Sequence, residues 1–433
     1  MVGKQSKILD NVTPELQTMT FSHDATAPKE IPTEDGKLHR VARPLRHVKY
    51  IPLKALVFTT KDSPLEFTYE KKIKTPISKN KLVVQVSSVG LNPIDMKIKN
   101  GYTNTLYGEI GLGREYCGVV ADVGSELTSK WHTGDKVMGI YYHPHMGVGA
   151  LQSSILVDPK DDIIAAQPKN ISDDEAAGSL YCLGTAYNIL SKLERNKHLR
   201  VDSNVLINGG TSSVGLFAIQ LLKRHFKLNK RLVIVTSSNG PELLKEQFPD
   251  LDRQMIFINY LACRGKSSKP LRKMLKDEQI ADYTDGSVVD NEVQLEYKQG
   301  KFDIVLDFVG GYDIISHSSS LIHAKGVYVT TVGDYVANYK EDIFNSWDNP
   351  SANARKMFGN VIWSFTYLHY HFDSNPKHAT KNDWVAKCTD LLNDGTVKCV
   401  IDKVYDWRQA KEAFSYMQTQ RAQGKIILKV EKF

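Results

Sequence analysis

Apolar positions along the chain change period at residue 208. The run Val205-Leu206-Ile207 meets the small residues Asn208-Gly209-Gly210-Thr211-Ser212-Ser213, and beyond them Val214, Phe217, Ala218, Leu221 and Leu222 share one helical face. This predicts a strand, a tight turn and a helix. Near-continuous apolar runs recur at residues 231–236, 255–259, 302–310 and 326–333, with helical segments between them. Strands of that composition are buried on both faces, so they predict a parallel sheet covered by helices. Earlier, shorter runs at 56–58, 65–69 and 82–86 are separated by turn residues and predict a β-rich unit with antiparallel or mixed pairing.

Residues 1 to 50 carry no such pattern. They are polar, with Pro14, Pro28 and Pro32 spaced through them, and predict an extension that is largely unfolded or draped over the body. Its last part interleaves Lys37, Arg40, Arg43, Arg46 and Lys49 with Leu38, Val41, Leu45 and Val48. Two readings stand: a solvated arm packed on the body, or a contact with an anionic lipid surface, to which each basic residue contributes about 1 kcal/mol. A second basic run, Arg264, Lys266, Lys269, Arg272, Lys273 and Lys276, opens the segment 261–300 and is followed by Asp277, Glu278, Asp282 and Asp285. It reads as a solvated face or as a partner or lipid contact.

Composition narrows the class. With 433 residues, 41% hydrophobic and 24% charged, the chain suits two or three globular domains. A net charge of +7 fits an anionic ligand or membrane surface and is too small to indicate nucleic acid. Five cysteines, widely spaced and without a C-x-x-C pair, imply a reducing compartment with no disulfide frame and no structural zinc. No window approaches the roughly 18 apolar residues of a membrane span, and the first thirty residues lack a signal-peptide core. Asp10, Glu15, Asp24 and Glu30, with no arginine before Arg40, argue against a mitochondrial leader. The expected location is the cytoplasm, with peripheral membrane association.

The turn at 208–215 is the main chemical signal. Small residues let a pyrophosphate approach the backbone N–H groups at a helix N-terminus, whose dipole favours negative charge. Where an NAD site places an acid after the second strand, this chain has Ser237-Ser238-Asn239, and the absence of an acid favours NADP. Only Lys245 or Arg264 is placed to add positive charge. His143-Pro144-His145 and His369-Tyr370-His371 each lack a third metal ligand.

Four motifs occur in a specific order. They are Asn92-Pro93-Ile94-Asp95, then the stretch from Gly113-Arg114-Glu115 through Gly118-Val119-Val120 to Val123-Gly124, then Gly134-Asp135-Lys136-Val137, and Gly184-Thr185-Ala186-Tyr187. Over roughly residues 54–433 this order resembles the zinc-independent branch of the medium-chain dehydrogenase/reductases, with quinone oxidoreductases and mitochondrial reticulon-interacting oxidoreductases nearest by motif. Over its whole length, basic arm included, the chain resembles the fungal ATPase-stabilising proteins, which support delivery of the plasma-membrane proton ATPase and associate with membranes.

The resemblance implies an α/β fold, a Rossmann doubly wound parallel sheet plus a β-rich GroES-like domain. It divides the chain into an extension (1–50), a GroES-like domain (51–180), a Rossmann domain (181–345, with 261–300 inserted) and a segment (346–433) that returns to the first domain with 426–430 as its last strand. Zinc-bearing relatives have Cys near Asn92, His near Arg114 and Cys near Tyr181, so no metal is expected here. NADP(H) would place its pyrophosphate at Gly209, Ser212, Ser213, Val214 and Gly215 and its 2′-phosphate at Ser237 and Ser238. Tyr260 would flank the adenosine, and Val309, Gly310, Val332 and Gly333 would line the nicotinamide ribose. Asn92 and Thr185 would face the nicotinamide, with Tyr102 either a proton donor toward a quinone or enone or a packed tyrosine. Asp95 reads as turn-forming after Pro93. The aromatic run 360–372 reads either as core or as a lid or homodimer surface. Two functions follow: a membrane-associated factor for a proton-ATPase client, or an NADPH-dependent oxidoreductase.

Overall fold

The computed structural model describes residues 49–101, 108–141, 143, 146–279, 296–342, 364–373 and 383–430, together with the backbone of 29–32 and 38–41. Two sheets organise them. The first has seven strands, in the order Ile163–Ala166, Lys136–Ile140, Glu115–Val123, Leu82–Gly90, Lys425–Lys429 and Ile401–Asp406, with Ser154–Val157 also paired to Leu82–Gly90. Pairing around the long strand Leu82–Gly90 is antiparallel. Its side chains are almost all buried, and Leu82, Val84, Val86 and Val89 join Trp131, Trp407 and Phe414 in one core. This is the β-rich GroES-like domain.

The second sheet has six strands, all parallel, in the order Met255–Asn259, Leu232–Thr236, Val205–Asn208, Phe302–Asp307, Ile322–Thr330 and Thr366–His369. Val205, Leu206 and Ile207 are fully buried, as strands covered on both faces must be. Leu206 stands beside Val233 on one side and Val305 on the other. The chain therefore runs outward in both directions from Val205–Asn208. The crevice beyond that strand's carboxyl end is the topological switch point, where ligands of doubly wound folds bind.

Helix Leu180–Arg195 covers this sheet with its buried face of Leu183, Ala186, Ile189, Leu190 and Leu193. Helix Ser213–Gln220 lies beside it and ends in a π turn, Leu221–His225. The later part of the basic run lies on helix Ser268–Asp277, which buries Pro270, Leu271 and Met274 and exposes Lys269, Arg272 and Lys276. The rest of that acidic and basic stretch, 280–295, lies outside the described residues.

Of the aromatic run, Phe365 and Tyr367 are core. Tyr367 stacks on Tyr328 at 5.9 Å, and its hydroxyl donates to Asp334. Phe372 packs against Tyr181 and Trp384. In the extension, Lys29–Pro32 and Leu38–Val41 pair antiparallel, while the basic side chains of 37–46 lie outside the described residues.

The last strand decides the geometry of the site. Lys425–Lys429 leaves the region of the parallel sheet and pairs with Leu82–Gly90 in the first, Ile427 opposite Gly90. On the way, Gln423 and Gly424 hydrogen-bond to Ser237 and Ser213, beyond the carboxyl ends of two parallel strands.

Candidate functional site

Parallel strands bring all their carboxyl ends to one edge, and this gathers most of the expected residues. The turn Gly209–Gly215 follows Val205–Asn208, Ser237 and Ser238 follow Leu232–Thr236, and Tyr260 follows Met255–Asn259. Val309 and Gly310 follow Phe302–Asp307, and Val332 and Gly333 follow Ile322–Thr330.

The turn is built for close approach. Gly209 has φ +85°, and a Cβ there would lie 2.6 Å from the Val309 side chain. A Cβ on Gly215 would stand 2.3 Å from the Gly209 carbonyl oxygen, so the helix can sit this near the turn only with glycine at that place. Ser212 caps the helix: its Oγ accepts from the Gly215 N–H at 3.1 Å and donates to the Gly209 carbonyl at 2.7 Å. The N–H groups of Ser213 and Val214 lie in the first turn, where a helix offers no internal acceptor. Together with the dipole they suit an anion.

Loops on the other side are held by their own strand ends. The Asp307 carboxylate accepts from the N–H groups of Val309 (3.1 Å) and Gly310 (2.9 Å), from Asn208 Nδ2 (2.8 Å) and from the Tyr328 hydroxyl (2.5 Å). Burial pushes this carboxyl above its ordinary pKa, with those donors pulling the other way. The Thr330 hydroxyl accepts from Val332 and Gly333 N–H in the same manner.

Two expected cofactor serines already touch the returning segment. Ser213 Oγ donates to the Gly424 carbonyl at 2.9 Å, and Gln423 Nε2 donates to Ser237 Oγ at 2.8 Å. Ser238 Oγ accepts from Asn259 Nδ2. Tyr260 is half-buried, its N–H donating to the Thr236 carbonyl.

Lys425, next in that segment, enters a buried centre between the domains. Its ammonium donates to Asn92 Oδ1 at 2.9 Å and Glu115 Oε2 at 3.0 Å, and lies 3.8 Å from Cys182 Sγ. Lys425 and Glu115 are 1% and 0% exposed. The second Glu115 oxygen accepts the Tyr181 N–H at 2.7 Å, and Asn92 Nδ2 also donates to Glu115. Burial opposes the ammonium's charge, yet its anionic neighbours more than offset this and hold its pKa above the ordinary lysine value. Burial pushes the Cys182 thiol up to about 11.

Thr185, on the same helix as Cys182, is buried and donates to the Tyr181 carbonyl. Asp95 ties two loops, accepting from the N–H groups of Asn92 (2.9 Å) and Gly113 (3.0 Å), which is the structural role its place after Pro93 suggests. Arg114 donates to the carbonyls of Gly111 and Val148, with its Nε 4.0 Å from Asp95 Oδ1. Tyr102 lies outside the described residues.

Sequence reasoning did not single out Gln423, Gly424 or Lys425. Glu115 stood in a motif, but nothing local marks its partner.

Residues 78–167 match the family described as alcohol dehydrogenase GroES-like domain, and residues 275–428 the one described as zinc-binding dehydrogenase. Protein AST1 of Saccharomyces cerevisiae is 69% identical over 427 residues, covering 98% of this chain and 99% of that one. The chain belongs to the medium-chain dehydrogenase/reductase family. Protein AST2 of the same yeast is 63% identical over 429 residues, 99% of each chain. Among solved structures, the quinone oxidoreductase from Coxiella burnetii superposes with a TM-score of 0.61 at 21% identity, covering 88% of this chain and 100% of that one. At that identity the likeness is one of fold.

The second family description names zinc, and the residues present do not fit it. The resemblance puts the Cys, His and Cys of zinc-bearing relatives near Asn92, Arg114 and Tyr181, none of which is a thiol, an imidazole or a carboxylate. Among the described residues no group of three His, Cys, Asp or Glu side chains is placed to hold a metal. Between Asn92, Glu115 and Cys182 stands the Lys425 ammonium.

Proposed function

We propose that the chain is a metal-free, NADP(H)-binding reductase-fold protein that works on the cytoplasmic face of membranes, in the delivery or stabilisation of a plasma-membrane proton ATPase. The reading rests on how far each likeness extends. The quinone oxidoreductase is matched over its whole length by 88% of this chain, whereas the match to Protein AST1 takes in 98%. What this chain has beyond the reductase core is therefore shared with Proteins AST1 and AST2, and the sequence resemblance to ATPase-stabilising proteins runs over that same full length. The basic arm at 37–49 and the exposed face of helix Ser268–Asp277 supply positive charge for an anionic lipid surface.

The test joins two measurements. Purified protein is floated with phosphatidylserine-containing liposomes, with and without residues 1–50. In fungal cells lacking the protein, the share of proton ATPase at the plasma membrane is measured. Loss of flotation on deleting the arm and a fall in surface ATPase are expected; an unchanged surface share rejects the reading.

The turn Gly209–Gly215, with Gly209 and Gly215 at its close approaches and Ser212 and Ser213 between them, favours a second reading, NADPH-dependent reduction of a quinone or enone. The nicotinamide would supply the hydride. Ser212, Ser213, Val214 and Gly215 would hold the pyrophosphate, and Ser237 with Ser238 the 2′-phosphate. Asn92 and Thr185 would orient the nicotinamide, and Tyr102 would supply the proton. NADPH oxidation on adding a quinone supports it. Absence of any melting-temperature shift at millimolar NADPH removes the cofactor from both readings.

A further inference from the structure

Between Met255 and Lys276 the chain carries six basic residues and no acid. Arg264, Lys266, Lys269, Arg272 and Lys276 are exposed, and among the described residues none of these five side chains has a carboxylate partner. Strand Met255–Asn259 ends at the carboxyl edge of the parallel sheet, so the turn after it and the first turns of helix Ser268–Asp277 stand at that edge. Arg264 and Gly265 take left-handed backbone, with φ +52° and +74°, and the Gly265 N–H returns to the Tyr260 carbonyl at 2.8 Å. Leu261, in this tight turn, is 43% exposed.

Neighbouring loops continue the same rim. Cys263 Sγ lies 3.8 Å from Ser267 Oγ, and Ser268 donates from its N–H and its hydroxyl to the Asp313 carboxylate at 2.8 and 2.7 Å. Tyr312, beside Asp313, is 54% exposed, and Val336 is 65% exposed. A Cβ on Gly311 would meet Val336 Cγ2 at 2.9 Å, so Val336 borders the start of helix Tyr312–Ile315. Leu261, Tyr312 and Val336 thus follow one another along one edge, with Arg264, Lys266, Lys269 and Arg272 beside them. Single exposed apolar side chains are ordinary, but a row of them flanked by uncompensated positive charge matches a surface that is both apolar and anionic.

We propose that this rim is the membrane-docking surface of the chain. Arg264, Lys266, Lys269 and Arg272 meet anionic headgroups, Leu261 and Tyr312 enter the interface, and the crevice opens toward the bilayer. The inference rests on the reading that the chain works at membranes, and it assigns the side that faces them.

The test uses the full chain and vesicles of phosphatidylcholine with and without phosphatidylserine. Lys266→Glu/Lys269→Glu/Arg272→Glu is compared with Lys61→Glu/Lys79→Glu/Lys160→Glu, an equal change of net charge on exposed sites of the GroES-like domain. The first is expected to lower partitioning onto phosphatidylserine vesicles at least about 100-fold, the second less than about tenfold. Depth is read from Leu261→Trp, with Val404→Trp as control, a site 44% exposed on strand Ile401–Asp406 of the other sheet. Phosphatidylcholine with brominated acyl chains is expected to quench the added tryptophan at 261 and not the one at 404.

A parent that floats while the two added tryptophans are quenched equally, or not at all, overturns this proposal and leaves the membrane reading standing. Equal losses of partitioning in the two triple variants overturn it as well. A parent that ignores the vesicles overturns both; retention on polyglutamate that only the first triple variant loses then assigns the rim to an acidic protein partner.

Discussion

Replacing Gln423 by glutamate exchanges an amide for a carboxylate 2.8 Å from Ser237 Oγ. In the parent, Gln423 donates to that oxygen and leaves the serine's own proton free for a 2′-phosphate. A glutamate accepts instead, draws the Ser237 proton to itself and adds a negative charge. A phosphate oxygen bonded to Ser237 lies about 2.7 Å beyond the hydroxyl, so carboxylate and phosphate are separated by roughly 5–6 Å. With a charge product of about 2 and an effective dielectric of about 40–80 at this half-exposed edge, the repulsion is about 1.4–3 kcal/mol, or roughly 10–150-fold in affinity. NADH carries no 2′-phosphate and feels little of it.

The assay is paired titration of parent and Gln423→Glu with NADPH and NADH, followed by fluorescence and melting temperature at fixed ionic strength. NADPH affinity is expected to fall at least about tenfold while NADH affinity holds within about threefold. An equal fall for both cofactors, or none for NADPH in a variant that melts like the parent, refutes the placement of the 2′-phosphate at Ser237.

Three further outcomes follow from the same geometry. Gly215→Ala sets a methyl 2.3 Å from the Gly209 carbonyl, backbone against backbone, and should cost about 1–3 kcal/mol of stability and abolish any NADPH-induced melting shift; a variant that melts and binds like the parent contradicts the turn as described. Cys182 has an ordinary thiol pKa of 9.0 that burial raises to about 11, so between those values the unfolded chain sheds a proton that the folded chain keeps. Stability should therefore fall as pH rises above 9, by roughly 1–3 kcal/mol from this group, and urea titrations of Cys182→Ala should show a shallower alkaline decline. Cys117, Cys182, Cys388 and Cys399 are buried and Cys263 is half-buried, so brief iodoacetamide treatment followed by peptide mapping should find Cys263 modified first, with Cys263→Ser removing the fast phase.

The sequence by itself determined the parallel sheet, the turn and the absence of an acid after the second strand. Val205, Leu206 and Ile207 read as a strand covered on both faces because a run with no polar alternation has no face to offer water. The switch to helical spacing at Val214 marked where that strand ends, and Gly209 and Gly215 marked where the chain turns and packs closely. Such signals are local: period, residue size and backbone freedom are written within a few positions of the place they act.

Only the tertiary structure decided what stands opposite these residues. Lys425 is 310 residues from Glu115 and 333 from Asn92, and Gln423 is 186 from Ser237. In sequence, Lys425 opens an unremarkable run of Ile, Ile and Leu, and its charge suggests a solvated strand end. It is buried because that run pairs with Leu82–Gly90, which carries the lysine past Asn92 and Glu115. A buried ion is tolerable only beside its countercharge, and which countercharge it meets depends on where two strands from opposite ends of the chain lie side by side.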